Sequence, residues 1–586
     1  MLPPQCPGTG TAQSLRMSPP SPFPASADAL ANDAVHAAQA AEVAEEAEHA
    51  AADEIARLAA QQADRADLSP LAPLRAPVFR MLWLTWVTAN ICMWMNDVAA
   101  AWLMTSLTRS PVPVALVQSA STLPVFFLGL PSGALADILD RRRFFMFTQF
   151  WVAAVGLLLS VVIFAGAISV PLLLLFTFAN GIGLALRWPV FAALIPELVP
   201  RPQLPAALAL NGVAMNTSRI VGPLVAGLII ASAGSVWVFA LNALLSVLSG
   251  LAIMRWRRAH VPHPLGRERL WSAMRVGVQF VRQSPRMRAL LARIAMFYIN
   301  ATALFALLPL VARELPGGGA ATFSLLMASM GAGAIVAALF VPRWRQSTPH
   351  ELLLLRGTTL QAGASAVVAI APNVYVGMPA MACAGVALMI AANSLSISAQ
   401  MALPNWVRAR GMSIFQITMM GSTALGAALW GQVAALTSVQ LSLALAAPVA
   451  VAAMALVQRL VADRHADEDW SPAPGLAAPQ PAVTPDVGRV VTTVEYRINP
   501  ARAAEFGALM QESRRSLLRR GALDWQLLHD LTHPERYVEQ IIDESWTEHL
   551  RRAERVTAAD VALRERKYAF HLGTEPPVVT RYLSLD

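Results

Sequence analysis

The chain has 586 residues, 56% of them hydrophobic and only 14% charged, with a mean hydropathy of +0.49. A soluble domain carries about a quarter charged residues, so this composition excludes a wholly water-soluble globular protein. The formal net charge of +8 raises nucleic acid as a partner, but the placement of the cations argues for topology instead, and no nucleic-acid partner is expected.

Residues 1–74 precede the apolar part and form an N-terminal extension. Its beginning is rich in Pro and Ser and is expected to be disordered. Residues 28–66 are Ala-rich with scattered acids such as Glu42, Glu45 and Glu46. Alanine favours helix, but there are few large side chains to bury, so a solvated, fraying helix is expected. The first long apolar run starts near residue 81, too late for a cleavable signal peptide.

Twelve membrane spans follow, at about 82–105, 112–134, 144–166, 170–190, 206–230, 235–255, 289–312, 321–342, 351–371, 375–398, 411–434 and 438–460. Each has the ~20 residues that cross a ~30 Å hydrocarbon core. The loops after even-numbered spans hold the arginines: Arg141, Arg142 and Arg143, Arg201, Arg255 through Arg288, Arg343 and Arg345, Arg408 and Arg410. Opposite loops hold only Arg109 and Arg313. By the positive-inside rule both termini are expected in the cytoplasm of a cell with an inner membrane. Residues 256–288 form a long basic loop in which Leu270, Trp271, Met274, Val278 and Val281 recur at helical spacing, as in a helix lying on the membrane surface. This loop divides residues 75–255 from residues 289–461, six spans each. Gly222-Pro223 and Gly227 in the fifth span correspond loosely to Gly421, Gly426 and Gly431 in the eleventh. Two related halves with a site between them is a common transporter plan.

A linker at 462–488, rich in Pro, Ala and Asp, leads to a soluble domain at 489–586. Alternating runs at Val490–Ile498, Leu523–Leu531, Tyr537–Ile542 and Val578–Leu583, with helical patterns at 500–519 and 545–570, give the order β-α-β-β-α-β of a ferredoxin-like α+β module. The expected fold class is thus an all-α polytopic membrane protein with a C-terminal α+β domain.

Charge inside spans is the sharpest functional signal. Asp97 in span one and Arg219 in span five lie at similar depth, and an unpartnered charge there costs about 2.5–3.5 kcal/mol or more. An Asp97–Arg219 pair is expected, flanked by Asn96 and Asn216. It serves structure, proton coupling or the substrate pathway. Asn180, Asn300, Asn393 and Gln416 are further polar groups at mid-span, and with these residues they would line a binding site for a small organic molecule. Arg187 lies nearer a span end and is expected to snorkel to the surface.

In the C-terminal domain His529 and His533 have the i, i+4 spacing of helix-borne metal ligands. They flank Leu531 and precede Pro534, which reads as a turn, and no metal site is assigned. Trp546 and His549 are expected to pack a helix on the sheet, and no catalytic residue is assigned. The three cysteines, Cys6, Cys92 and Cys383, are far apart and define no disulfide framework. There is no Walker A sequence and no sign of a cofactor.

The loop Gly133-Ala-Leu-Ala-Asp137-Ile-Leu-Asp140-Arg141-Arg142-Arg143 resembles the signature loop of the major facilitator superfamily. Ile138 and Asp140 depart from the usual pattern. The resemblance implies that Asp137 caps the N-terminus of the eleventh span, near Gly411, and holds the inner gate shut. Arg219-Ile-Val-Gly222-Pro223-Leu-Val-Ala-Gly227 resembles the Gly-Pro motif of exporters in that superfamily. Thr177 stands where proton-coupled relatives have an arginine, which weakens proton coupling through that motif. Phe79-Arg80-Met-Leu-Trp83, Pro196-Glu-Leu-Val-Pro200-Arg201 and Leu210-Asn211 resemble the transmembrane secretion effector branch, which holds enterobactin-exporter-like and macrolide-efflux-like proteins. The tail, with Glu544-Ser545-Trp546-Thr-Glu548-His549-Leu550, is similar to antibiotic-biosynthesis monooxygenases, whose modules dimerise. The resemblance implies an exporter working by alternating access, without a cofactor, dimeric if the tail pairs. The competing readings are a transporter–enzyme fusion and a membrane-tethered regulatory module.

Overall fold

The computed structural model describes residues 69–256, 270–404, 406–460 and 488–584. The N-terminal extension up to residue 68 and nearly all of the 462–488 linker lie outside the described residues, as does the first part of the central loop.

All twelve expected spans are helices. They are α1 (Pro77–Leu107), α2 (Pro111–Ile138), α3 (Arg141–Phe164), α4 (Val170–Leu198), α5 (Leu204–Ala233), α6 (Ser235–Arg255), α8 (Pro285–Glu314), α9 (Ala320–Ser347), α10 (His350–Ala369), α11 (Val374–Met401), α12 (Arg408–Leu436) and α13 (Val439–Leu460), with α7 (Leu270–Gln283) between the halves. Their starts are written locally. Proline stands in the first turn of α1, α2, α4, α5 and α8, where its missing N–H costs nothing and its fixed φ suits the helix. Asp140 caps α3 by accepting from the Arg143 amide at 2.8 Å, and Asn373 caps α11 through the Val376 amide at 3.1 Å. Several helices run past the expected ends, α4 by eight residues to Leu198, because the helix continues beyond the apolar stretch that marks it in the sequence.

Among the described residues, eleven helices are long and apolar enough to cross a membrane. The twelfth, α1, is 31 residues long, but Asn90, Asn96, Asp97 and its tryptophans lower its hydropathy. Large apolar side chains such as Leu157, Leu158, Leu228, Leu248, Leu339 and Leu429 lie exposed on the outside of the bundle. In water such a belt would be a liability, whereas in a bilayer it faces lipid tails.

The two halves repeat one packing plan. In the N-terminal half α1 packs on α5 and α6, α2 on α4, and α3 on α4 and α6; in the C-terminal half α8 packs on α12 and α13, α9 on α11, and α10 on α11 and α13. The halves meet through α2 with α12 and α5 with α9.

The apolar cores divide differently at the two ends of the bundle. At the end away from the arginine-rich loops one core is shared, joining Val98 and Met104 of α1, Leu307 and Val311 of α8, Phe323 of α9 and Trp430 of α12. At the arginine-rich end each half has its own: Phe79, Trp86, Phe191 and Ile253 in one, Phe280, Ile294, Leu395 and Met454 in the other. Arg313 of α8 also donates to the Thr105 carbonyl of α1 across the sealed end.

The C-terminal domain is an antiparallel sheet of β1 (Val490–Arg497), β2 (Asp524–His529), β3 (Arg536–Asp543) and β4 (Val578–Leu583) in the order β2-β3-β1-β4. Register is fixed by pairs such as Tyr496 with Tyr537 and Thr492 with Arg581. One face alternates inward along β1 and, with α14 (Ala503–Arg520), encloses Val494, Tyr496, Phe506, Met510, Trp525 and Ile541. The expected helix over 545–570 is two, α15 (Trp546–Glu554) and α16 (Ala558–Tyr568). The break falls where Thr557 and Asp560 form a capping box that starts α16.

The domain is docked on the bundle. Gln279 of α7 donates to the Ala522 carbonyl at 2.8 Å, Arg275 pairs with Glu544 at 2.8 Å, and the Arg555 guanidinium lies over the Trp406 ring at 5.1 Å. The apolar face of α7 therefore differs from the one expected to rest on lipid: Val276, Phe280 and Val281 are buried in protein, while Val278 is exposed.

Candidate functional site

Asp97 lies at the meeting point of two small cavities. One is inside the N-terminal half, lined by Asp97 and Met93 of α1, Ser121 of α2, Asn180 and Arg187 of α4 and Asn242 of α6. The other reaches toward the second half, between Asp97, Gln118 and Ser121 on one side and Phe305 and Ala306 of α8 on the other. Asp97 and Ser121 line both. Helical spacing makes the first cavity: Met93 with Asp97 on α1, and Asn180, Leu184 and Arg187 on α4, recur on one face of each helix.

Arg219 does not pair with Asp97. Its guanidinium lies over the Trp94 ring at 5.6 Å. Trp94 is pressed on α5, so close that a Cβ on Gly222 would lie 2.5 Å from the Trp94 Cβ. Asp97, three residues on, is turned by about 60° at 100° per residue and opens to cavities lined by α2 and α4.

Arg187 does not snorkel. It is 4% exposed, stacks over Trp86 at 5.6 Å, and its Nε has no hydrogen-bond partner among the described residues. Its place beside Asn180 was readable from the i, i+7 spacing, but the expected span end at 190 put it at the surface.

Of the other residues, Asn96 is buried and accepts from Asn242 at 3.5 Å, joining α1 to α6. Asn216 and Asn300 each donate to a carbonyl one turn back, Gly212 at 3.0 Å and Met296 at 2.8 Å, and Asn300 Oδ1 is buried without a partner. Asn393 and Gln416 are half-buried on α11 and α12 and line neither cavity. Thr177 is buried and bonds to the Leu173 carbonyl at 2.8 Å.

The gate loop is partly visible. Gly133 and Asp137 belong to α2, but their side chains lie outside the described residues. Arg142 donates to the Ile253 carbonyl at 3.3 Å and to that of Met254, capping the C-terminus of α6. Arg143 contributes its amide to the Asp140 cap, and Arg141 begins α3. Helix α2 does pack along α12.

Gly222 and Gly227 of the Gly-Pro segment are contact points on two faces. Gly222 meets α1 of its own half, and Gly227 meets Ser324 of α9 in the other. Gly426 and Gly431 repeat this, against Ile299 of α8 and Ala115 of α2. Pro223 lies inside α5.

In the C-terminal domain the sequence candidates are engaged with neighbours. His549 Nδ1 bonds Asp543 at 2.8 Å, its Nε2 accepts from Arg581 Nε at 3.2 Å, and Trp546 stacks on its ring. His529 stacks on Tyr537 and bonds the Pro534 carbonyl, while His533 bonds Asp530. Sequence reading missed Glu539, which is fully buried and receives Tyr496, Ser513, Trp525 and Lys567, the chain's only lysine.

Twelve long helices in two repeated halves, with an interior cavity and a lipid-facing apolar belt, define a multi-pass membrane protein with the fold of major facilitator transporters. The chain belongs to the transmembrane secretion effector family, whose model matches residues 68–586 and so takes in the C-terminal domain. It is similar to macrolide efflux protein A of Streptococcus pyogenes, 26% identical over 271 residues, covering 45% of this chain and 65% of that one. It thus spans just under two thirds of that relative's length. It is also similar to the enterobactin exporter EntS of Salmonella typhimurium, 24% identical over 362 residues, covering 61% of this chain and 86% of that one. Among solved structures, the nucleoside transporter NupG superposes with a TM-score of 0.54 at 13% identity, covering 66% of this chain and 99% of that one, which supports the fold alone.

Proposed function

We propose that the protein is a secondary active transporter of the cell's inner membrane, exporting a small organic molecule such as a siderophore or antibiotic by alternating access. The observation that carries this reading is the asymmetry of the core: the halves share apolar packing at one end and keep separate cores at the other. A bundle that rocks about α2–α12 and α5–α9 exchanges these two arrangements. The arginine-rich ends are cytoplasmic by the positive-inside rule, so both termini face the cytoplasm and this is the state open inward. Macrolide and enterobactin export by relatives supports the outward direction.

Asp97 is the coupling group of this reading. A carboxylate that takes a proton from one cavity and releases it to the other would couple export to the proton gradient as an antiporter. The docked C-terminal domain serves the transporter body, and the reading assigns it no reaction.

The test is an accumulation screen of siderophores and antibiotics in cells with and without the gene, each with and without a protonophore. Gene-dependent, protonophore-sensitive lowering of accumulation is the expected result. Equal accumulation for every compound in both strains would sink the export reading, and export indifferent to the protonophore would sink the proton coupling.

A further inference from the structure

We propose that the exported molecule is an anion and that Arg219 is its counter-charge, in a site formed by Arg219 of α5 and Trp94 of α1, where α5 packs on α9 of the opposite half. This deepens the export reading and rests on it for the word exported, but not for binding.

The site is an assembly of donors without acceptors. Arg219 begins about 22 Å along α5 from its start, at 1.5 Å per residue, deep in the bundle. It makes no hydrogen bond and has no carboxylate partner among the described residues; its guanidinium lies over the Trp94 ring at 5.6 Å. Its Nε–H is buried without an acceptor, and so is the indole Nε1–H of Trp94 beside it. A buried donor left unmade costs about 1–3 kcal/mol, more when charged. Two adjacent orphan donors of this kind are matched by a ligand that brings acceptor oxygens and negative charge.

The interior charge points the same way. Arg187 is buried over Trp86 with its Nε unpartnered, and it shares a cavity with Asp97. Arg293 is paired with Glu351 at 2.7 Å. Asp97 shares its cavity with Arg187. Arg219 is absent from the lining of both Asp97 cavities and has no carboxylate partner among the described residues.

The location suits a transported ligand. Arg219 and Trp94 belong to the first half, and Gly331 of α9 in the second approaches the Arg219 backbone so closely that a Cβ there would lie 3.2 Å from its carbonyl oxygen. A carboxylate or catecholate held here touches both halves, so rocking changes its contacts. Arginine suits such oxygens because its fork accepts two of them at once.

The test uses the purified full-length chain in detergent, with thermal unfolding as the readout. The probes are citrate, 2,3-dihydroxybenzoate and carboxyfluorescein as anions, and ethidium and tetraphenylphosphonium as cations. Stabilisation by at least one anion is expected, weakened about tenfold or more in Arg219→Gln and severalfold in Trp94→Phe, which keeps the ring and loses the N–H. Stabilisation by cations only, or by none of the anions, overturns the proposal, as does anion binding unchanged in both variants. A parallel series in nanodiscs with and without phosphatidylglycerol separates a lipid headgroup from a soluble anion: stabilisation by the lipid with none from the soluble anions overturns a transported ligand. Anion binding without gene-dependent export would instead leave this site standing and remove the export reading.

Discussion

Within the bundle the proposed coupling rests on Asp97. A charge in a membrane-crossing helix costs about 2.5–3.5 kcal/mol or more, and Asp97 lies between two cavities without an ion-pair partner among the described residues. Asp97→Asn is expected to abolish the protonophore sensitivity of export while leaving the protein folded; export that stays protonophore-sensitive in this variant removes Asp97 from coupling. A different carboxylate governs the C-terminal domain. Burial pushes the Asp543 carboxyl up, but Arg552, bonded through two nitrogens at 2.8 Å, and His549 more than offset this and hold it at about 2. Its unfolded value is about 3.9. A lowered folded value stabilises above the unfolded one, so this contribution is complete above about pH 4 and is lost as pH falls toward 2. Acid titration of the domain's resistance to protease in the full chain should show that loss, and Asp543→Asn should flatten it while costing about 3–5 kcal/mol through the stranded Arg552. Asp97 and Asn180 were legible from sequence because polar side chains at mid-span stand out. Arg187 was not, because hydropathy ends the span near 190 while the helix runs on to Leu198. The network around Glu539 was hidden because its donors come from β1, α14, β2 and α16, which no local pattern joins.

At the scale of elements the Gly-Pro segment gains a physical role. Five residues separate Gly222 from Gly227 and Gly426 from Gly431, a rotation of about 140° at 100° per residue, so each pair serves two neighbours. One glycine lets the helix close on the first helix of its own half, and the other lets it close on the opposite half. Gly426 is the stricter case, since a Cβ there would lie 2.3 Å from the Ile299 carbonyl oxygen, and backbone cannot turn aside as a side chain can. Gly426→Val is expected to cost more than the 1–3 kcal/mol typical of overpacking, read as loss of folded protein after detergent extraction. Gly212→Ala, where an added Cβ meets nothing within 4 Å, should extract normally; equal yields for both would refute the packing account. The spans themselves were legible because length and apolarity are properties of single helices. What covers the apolar face of α7 was not: periodicity says that a face is buried, but the partner, protein rather than lipid, depends on a domain more than two hundred residues away.

For the whole molecule, alternating access requires that the sealed end be held by contacts that can be broken. Most of that seal is apolar packing among α1, α8, α9 and α12, which is distributed and hard to remove at one position. The bond from Arg313 to the Thr105 carbonyl is different, because it is a single charged donor joining the last turn of α8 to the last turn of α1 across the halves. A hydrogen bond to a charged group contributes about 1.5–3 kcal/mol, which corresponds to roughly a tenfold or larger change in the ratio of two states at 1.4 kcal/mol per decade. Arg313→Ala should therefore shift the population toward opening at that end. The measurement is labelling by a membrane-impermeant maleimide in a cysteine-free background. A cysteine at Ala101, which lines the cavity toward α8, should react about tenfold faster or more from the sealed side in Arg313→Ala. A cysteine at Gly212, where an added Cβ meets no other atom within 4 Å, should react more slowly from the arginine-rich side. The two changes must be opposite in sign, because one rocking equilibrium sets both. If the Ala101 site accelerates while the Gly212 site is unaffected, Arg313 only tightens a local loop and the two ends of the bundle are not coupled through it.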